Sequence, residues 1–166
     1  MSCLNLTRHQ IILQPESARV IIRPFIPSSA RSIAAIIGRT LALTEYEVEM
    51  EIRAVRADFD GRHFDIEPTL LEHFARVQSD IFTQRPLSRS RQLLIGALFS
   101  GEYSLESAAL FNPSIVPHPD QSNVPAGGLR FIMSLRATGE GHISSIEFRE
   151  GLLSPKGGIS FTPVSR

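Results

Sequence analysis

Two residues in the last third of the chain have the chemistry to grip a hydroxyl-rich ligand. Asn112, between Phe111 and Pro113, carries an amide that donates and accepts at once. Arg136 offers planar, forked donors, and Ser134, Ser144 and Ser145 lie close by in sequence. Mixed donors and acceptors of this kind suit a sugar. The same residue types also fit the solvated face of an antiparallel sheet, with Asn112-Pro113 opening a turn.

Other clusters carry less. His63, Asp65, Glu67, Glu72 and His73 crowd one segment, but their spacing lacks the His-Glu-x-x-His pattern that converges on a metal. They read as helix surface and caps. Gly139-Glu140-Gly141 lacks the Lys-Ser/Thr ending of a phosphate loop and reads as a hairpin turn. His118-Pro119-Asp120 could pair an acid with a base, yet its prolines favour an exposed connector. No Gly-x-Ser-x-Gly elbow or Cys–His pairing supports a nucleophile. Cys3 is the only cysteine, which excludes an internal disulfide.

The elements that must position Asn112 and Arg136 are legible from periodicity. Residues 4–25 read as extended, with strands at Ile11–Leu13 and Val20–Ile22. Residues 27–109 read as helical. Ser28 or Ser29 caps a first helix with Ile33, Ile36, Ile37 and Leu41 on one face. Thr44 and Glu47 form a capping box for a second, through Val48, Ile52, Val55 and Phe59. Asp65 caps a third and Ser88 a fourth, whose Leu93–Phe99 stretch is apolar on most sides and belongs in the middle of the bundle. A short fifth helix is expected from Ser104 to Ala109. Prolines 113, 117, 119 and 125 then forbid helix, and Leu129–Ala137 alternates before a turn at 138–141. A four-residue loop sets Leu135 opposite Ser144, Met133 opposite Ile146 and Phe131 opposite Phe148. This register predicts an apolar face for the core and a polar face with Ser134, Arg136, Ser145 and Glu147. Lys156-Gly157-Gly158 turns the chain into a last strand.

The segments Ala109–Gln121 and Phe131–Ile146 resemble the start of the catalytic domain of glycoside hydrolase family 130. The helical stretch after Arg23-Pro24-Phe25-Ile26-Pro27 resembles the N-terminal extension of that family's longer-chain branch. The resemblance implies an α+β chain: an extension over residues 1–109, then the start of a five-bladed β-propeller over 110–166, an antiparallel meander of about one blade. It implies action on β-mannosides, by phosphorolysis to mannose 1-phosphate or by hydrolysis, with no cofactor and with inorganic phosphate as co-substrate in the first case. Asn112 matches the family's Phe-Asn-Pro element and Arg136 the Arg ending the next strand, so both would contact the mannosyl unit. The family's catalytic Asp and phosphate cluster have no match here, and Asp120 lies outside the catalytic element. The chain is therefore expected to be an N-terminal piece with negligible turnover, whose partners are an oligosaccharide and the remaining blades. The alternative expectation is a non-catalytic helical interaction or oligomerisation module.

Composition bounds these readings. The chain has 166 residues, 42% of them hydrophobic, and 17 basic against 17 acidic side chains. Balanced charge gives no long-range pull toward nucleic acid or an anionic membrane, and neither is expected as a partner. All basic residues but Lys156 are arginines. Without a signal-peptide pattern or a spanning apolar run, a soluble cytoplasmic protein is expected.

Overall fold

The computed structural model describes residues 8–164, so Cys3 lies outside the described residues. Among the described residues the fold is mixed α+β, with four α-helices, a two-stranded sheet and a four-stranded antiparallel sheet. It divides into a helical unit, Val20–Tyr103, and a sheet unit built from the segment ending at Arg19 and the segment from Ser104 onward. The division thus falls upstream of the expected 109/110. The segment before Arg19 joins the sheet unit because Ser17 and Arg19 offer their carbonyls to Ser104 Oγ (2.9 Å) and the Leu105 N–H (3.0 Å).

In the helical unit, β1 (Val20–Pro24) pairs with β2 (Ser100–Ser104). Between them run α1 (Ala30–Ala42), α2 (Glu45–Phe59), α3 (Ile66–Val77) and α4 (Arg89–Leu98). The Thr44–Glu47 capping box forms as expected: Thr44 Oγ1 accepts from the Glu47 N–H, and Glu47 accepts from the Thr44 N–H at 2.7 Å. Ser88 caps α4 by accepting from the Arg91 N–H at 3.2 Å. Ser29 and Asp65 occupy the N-cap positions of α1 and α3 without side-chain cap bonds, and Asp65 is left-handed at φ 46°. Helix α4 packs against α1, α2 and α3, as its all-round apolarity requires. Gly96 permits the closest approach: a Cβ there would lie 1.9 Å from the Leu70 carbonyl oxygen.

Two apolar clusters hold this unit. Ile37, Phe74, Val77, Ile95 and Phe99 form one; Ile52, Ile66, Leu70 and Leu93 form the other. Each such side chain stabilises the fold by about 1.5–3 kcal/mol on burial. Arg91 is buried beside them. It donates to the carbonyls of Thr40 and Leu43 and to Glu45, which satisfies the loose end of α1.

In the sheet unit, β3 (Ala109–Pro117), β4 (Leu129–Thr138), β5 (Ser144–Leu153) and β6 (Ile159–Phe161) follow one another in sheet order as in sequence. The outer strands are β3, with Pro113 and Pro117, and the three-residue β6. Prolines suit an edge because one side of the strand needs no ladder donor. The turn through Gly157 (φ 81°) forms as read.

Three expectations fail here. Ile11–Leu13 forms no strand; Leu13 instead packs on the cluster of Phe131, Met133 and Leu135. Ser104–Ala109 is not helical, because Ser104 ends β2, Glu106 turns into the interior and Ala109 opens β3 opposite Thr138. Most consequentially, the β4–β5 register is shifted: Leu135 lies opposite Glu147, not Ser144. The loop runs through Gly141 and His142, both left-handed at φ 61° and 60°, and closes with Gly139 donating to the Ile143 carbonyl at 2.9 Å. An odd shift exchanges the two faces of a strand. Ile146 and Phe148, expected in the core, are 64% and 62% exposed, whereas Glu147 and Arg149 turn inward.

Candidate functional site

The exchanged faces define what the sheet can present. Directly opposed residues share a face, so the outer face carries Phe111, Ser114 and Val116 from β3, with Ile132, Ser134 and Arg136 from β4. From β5 it carries Ser144, Ile146, Phe148 and Glu150.

Arg136 stands at one end of this face. Its Nε and Nη2 both donate to Ser144 Oγ, at 3.1 and 3.0 Å. Its guanidinium lies 5.1 Å from the centroid of Phe111, the residue opposite it on β3. Cation–π attraction of this kind contributes about 0.5–1 kcal/mol at an exposed position. Ring and hydroxyl thus hold the guanidinium flat, while among the described residues nothing accepts from Nη1.

Asn112 adjoins Phe111 at an irregularity where pairing jumps from Phe111 to Ser114. It is exposed and left-handed at φ 53°, a conformation Asn tolerates better than most residues. Among the described residues its amide makes no hydrogen bond. The fold therefore brings Asn112 and Arg136 to the same end of the same two strands, through Phe111. Phe111 went unrecognised in the sequence, although the Phe-Asn-Pro run marks an edge bulge. Phe148 was assigned to the wrong face. Ser145, expected on the polar face, sits opposite Ala137 with its Oγ buried and unbonded, and Glu147 sits opposite Leu135.

The inward-turned charges form a closed group. Glu106, fully buried, accepts from Arg19, Arg149 and the Glu16 N–H, and Arg19 also reaches Glu147. Burial by itself would raise the Glu106 carboxyl. Its hydrogen bonds, led by Arg149, outweigh that and hold it below the ordinary carboxylate value. Burial likewise pulls Arg19 down, but Glu147 and Glu106 overcome it and raise its pKa. With every member paired, this cluster is structural.

The remaining sequence candidates separate. His118 does not meet the Asp120 carboxylate; its Nδ1 faces the Asp120 N–H at 2.9 Å, and its Nε2 lies 3.6 Å from Glu150. Asp120 is held below its ordinary value by Ser122, side chain and backbone both. That arrangement is a braced connector. His63 binds Glu102 at 2.7 Å, whereas His73 is buried against Ser100 at 2.6 Å, so the histidine-rich segment splits between two neighbours. Among the described residues no group of three or more His, Cys, Asp or Glu could hold a metal ion, and no helix is long and apolar enough to cross a membrane.

No family model, curated protein or solved structure matches this chain.

Proposed function

We propose that the Asn112–Arg136 end of the outer sheet face is part of a saccharide-binding subsite for β-mannosides, in a carbohydrate-active enzyme. What carries the reading is Arg136, held flat by Ser144 and Phe111 with Nη1 unspent, beside an exposed Asn112. A sugar hydroxyl pair would accept from Nη1 and exchange both roles with the Asn112 amide. The open meander, with Val116, Ile146 and Phe148 exposed on the same face, fits one blade of a β-propeller whose neighbour covers the apolar part. The catalytic acid, and phosphate if the reaction is phosphorolysis, would then be held by other blades. A cytoplasmic site of action accords with this reading.

Titrating the chain with methyl β-mannoside and β-mannobiose, followed by side-chain NMR, tests the subsite. Arg136 Nε and the Asn112 amide should shift, and Arg136→Ala should weaken binding by about tenfold, the loss of a hydrogen bond to a charged donor. Saccharide-induced shifts that bypass both residues would refute the assignment. Incubation of this chain with β-mannosides and phosphate should give no measurable mannose 1-phosphate.

A further inference from the structure

We propose that the helical unit contains a second, unrelated binding site, which takes a small amphipathic cation: one aromatic ring or a branched chain of that size, bearing an ammonium group. The site is a pocket of about 160 Å³ bounded by α2, α3, α4 and the β1–β2 pair. Its walls are Ile22, Val55, Phe59, Leu70, Ala97 and Leu98. An apolar guest seated there would give the lining atoms the dispersion contacts they lack when the pocket holds only solvent. The pocket opens to solvent beside Glu51 and Leu98, and its volume is close to that of apolar cavities, about 150 Å³, that accept a benzene-sized guest.

The polar groups of the lining decide the rest. Ser100 is consumed internally: its Oγ donates to the Gly96 carbonyl at 2.7 Å and meets His73 Nδ1 at 2.6 Å. Glu102 is already engaged: Arg62 pairs with it at 3.1 Å and His63 Nε2 bonds it at 2.7 Å. Glu51 differs. It lies one and two helical turns before Val55 and Phe59, on the stripe of α2 that lines the pocket, and it is exposed. Among the described residues no cation pairs with it. The lining therefore presents apolar walls and one uncompensated carboxylate, complementary to a ring-borne ammonium and repulsive to a carboxylate.

Phenethylamine, 2-phenylethanol and phenylacetate share one body and differ in charge, which makes them the test. Added to the full chain at pH 7 and followed by methyl NMR, they should shift Ile22, Val55, Leu70 and Leu98, with affinity falling from amine to alcohol to acid. Glu51→Gln lies on the surface and should bring the amine down to the alcohol, roughly threefold to fivefold. Ala97→Phe should abolish binding of all three by filling the pocket. If none of the three shifts those methyls in the wild-type chain, or if phenylacetate binds as tightly as phenethylamine, the proposal is wrong. Neither outcome bears on the saccharide subsite, which the mannoside titration tests separately.

Discussion

The two units solve the same problem, a guanidinium inside an apolar core, in different ways. Arg91 of the helical unit finds carbonyls at the end of α1 and, at 2.7 Å, the exposed carboxylate of Glu45. Arg149 of the sheet unit has no such supply, since strand carbonyls are spent on the ladder. It bonds the Phe148 carbonyl at 3.1 Å, but its charge is met by Glu106. Glu106 in turn needs Arg19 and the Glu16 N–H to fill its remaining lone pairs. Each guanidinium meets a carboxylate, but Arg91 takes the exposed Glu45, whereas Arg149 takes one that is itself buried and must be paired within a set.

That contrast can be broken most sharply at Glu106. Glu106→Ala leaves buried Arg149 with Glu147 at 4.0 Å as its nearest carboxylate and Arg19 with Glu147 alone, and the sheet unit should lose about 3–5 kcal/mol. Urea unfolding followed by amide exchange on β4 and β5 measures the loss; a change under about 1 kcal/mol would show that the set is not acting as one. The same carboxyl sets an acid response. Its folded pKa lies below its unfolded one, so its stabilisation is complete above the ordinary carboxylate range and disappears as pH falls through the depressed value.

Arg91→Met should cost less, about 1–3 kcal/mol, because it leaves the buried Thr40 carbonyl short of a donor while the carboxylate partner, Glu45, is exposed and stays hydrated. Differential scanning calorimetry gives the value, and a loss as large as that at Glu106 would erase the distinction between the units. Thr44→Ala removes a capping-box hydroxyl at an exposed helix start and should cost about 1 kcal/mol; helical content by circular dichroism should fray only at α2.

The weakest expected effect separates the units by pH. Burial lowers the His73 pKa, against an opposing pull from Glu72 and with a small further push from Arg76. Its unfolded form takes a proton first, so the helical unit should weaken as pH drops from about 6.5 toward the lower folded value. The sheet unit should hold until the carboxylate range. Amide exchange of α3 and β4 compared between pH 7 and 5 would show this difference, and His73→Asn should remove it.

Legibility in the sequence followed range. The spans of α1 to α4, the Thr44–Glu47 box, the Ser88 cap and the Gly157 turn all rest on neighbours within a few residues, and all form. Asn112 and Arg136 stood out by type, and their hairpin was expected. Phe111 as the ring beneath Arg136 was not, since it depends on which residues face each other across β3 and β4. The apolar pocket draws its walls from five separate elements and leaves no local signature.

What the chain determined alone was periodic and local: where helices begin, where prolines forbid them, and that two β segments form a hairpin. Tertiary structure decided the faces. Left-handed Gly141 and His142 set an odd register shift, and Arg19 and Glu106, distant in sequence, make it tolerable to turn Glu147 and Arg149 inward. Helical periodicity repeats within one segment and can be read there. Strand facing alternates with every residue, so one loop and one set of remote partners reverse it entirely.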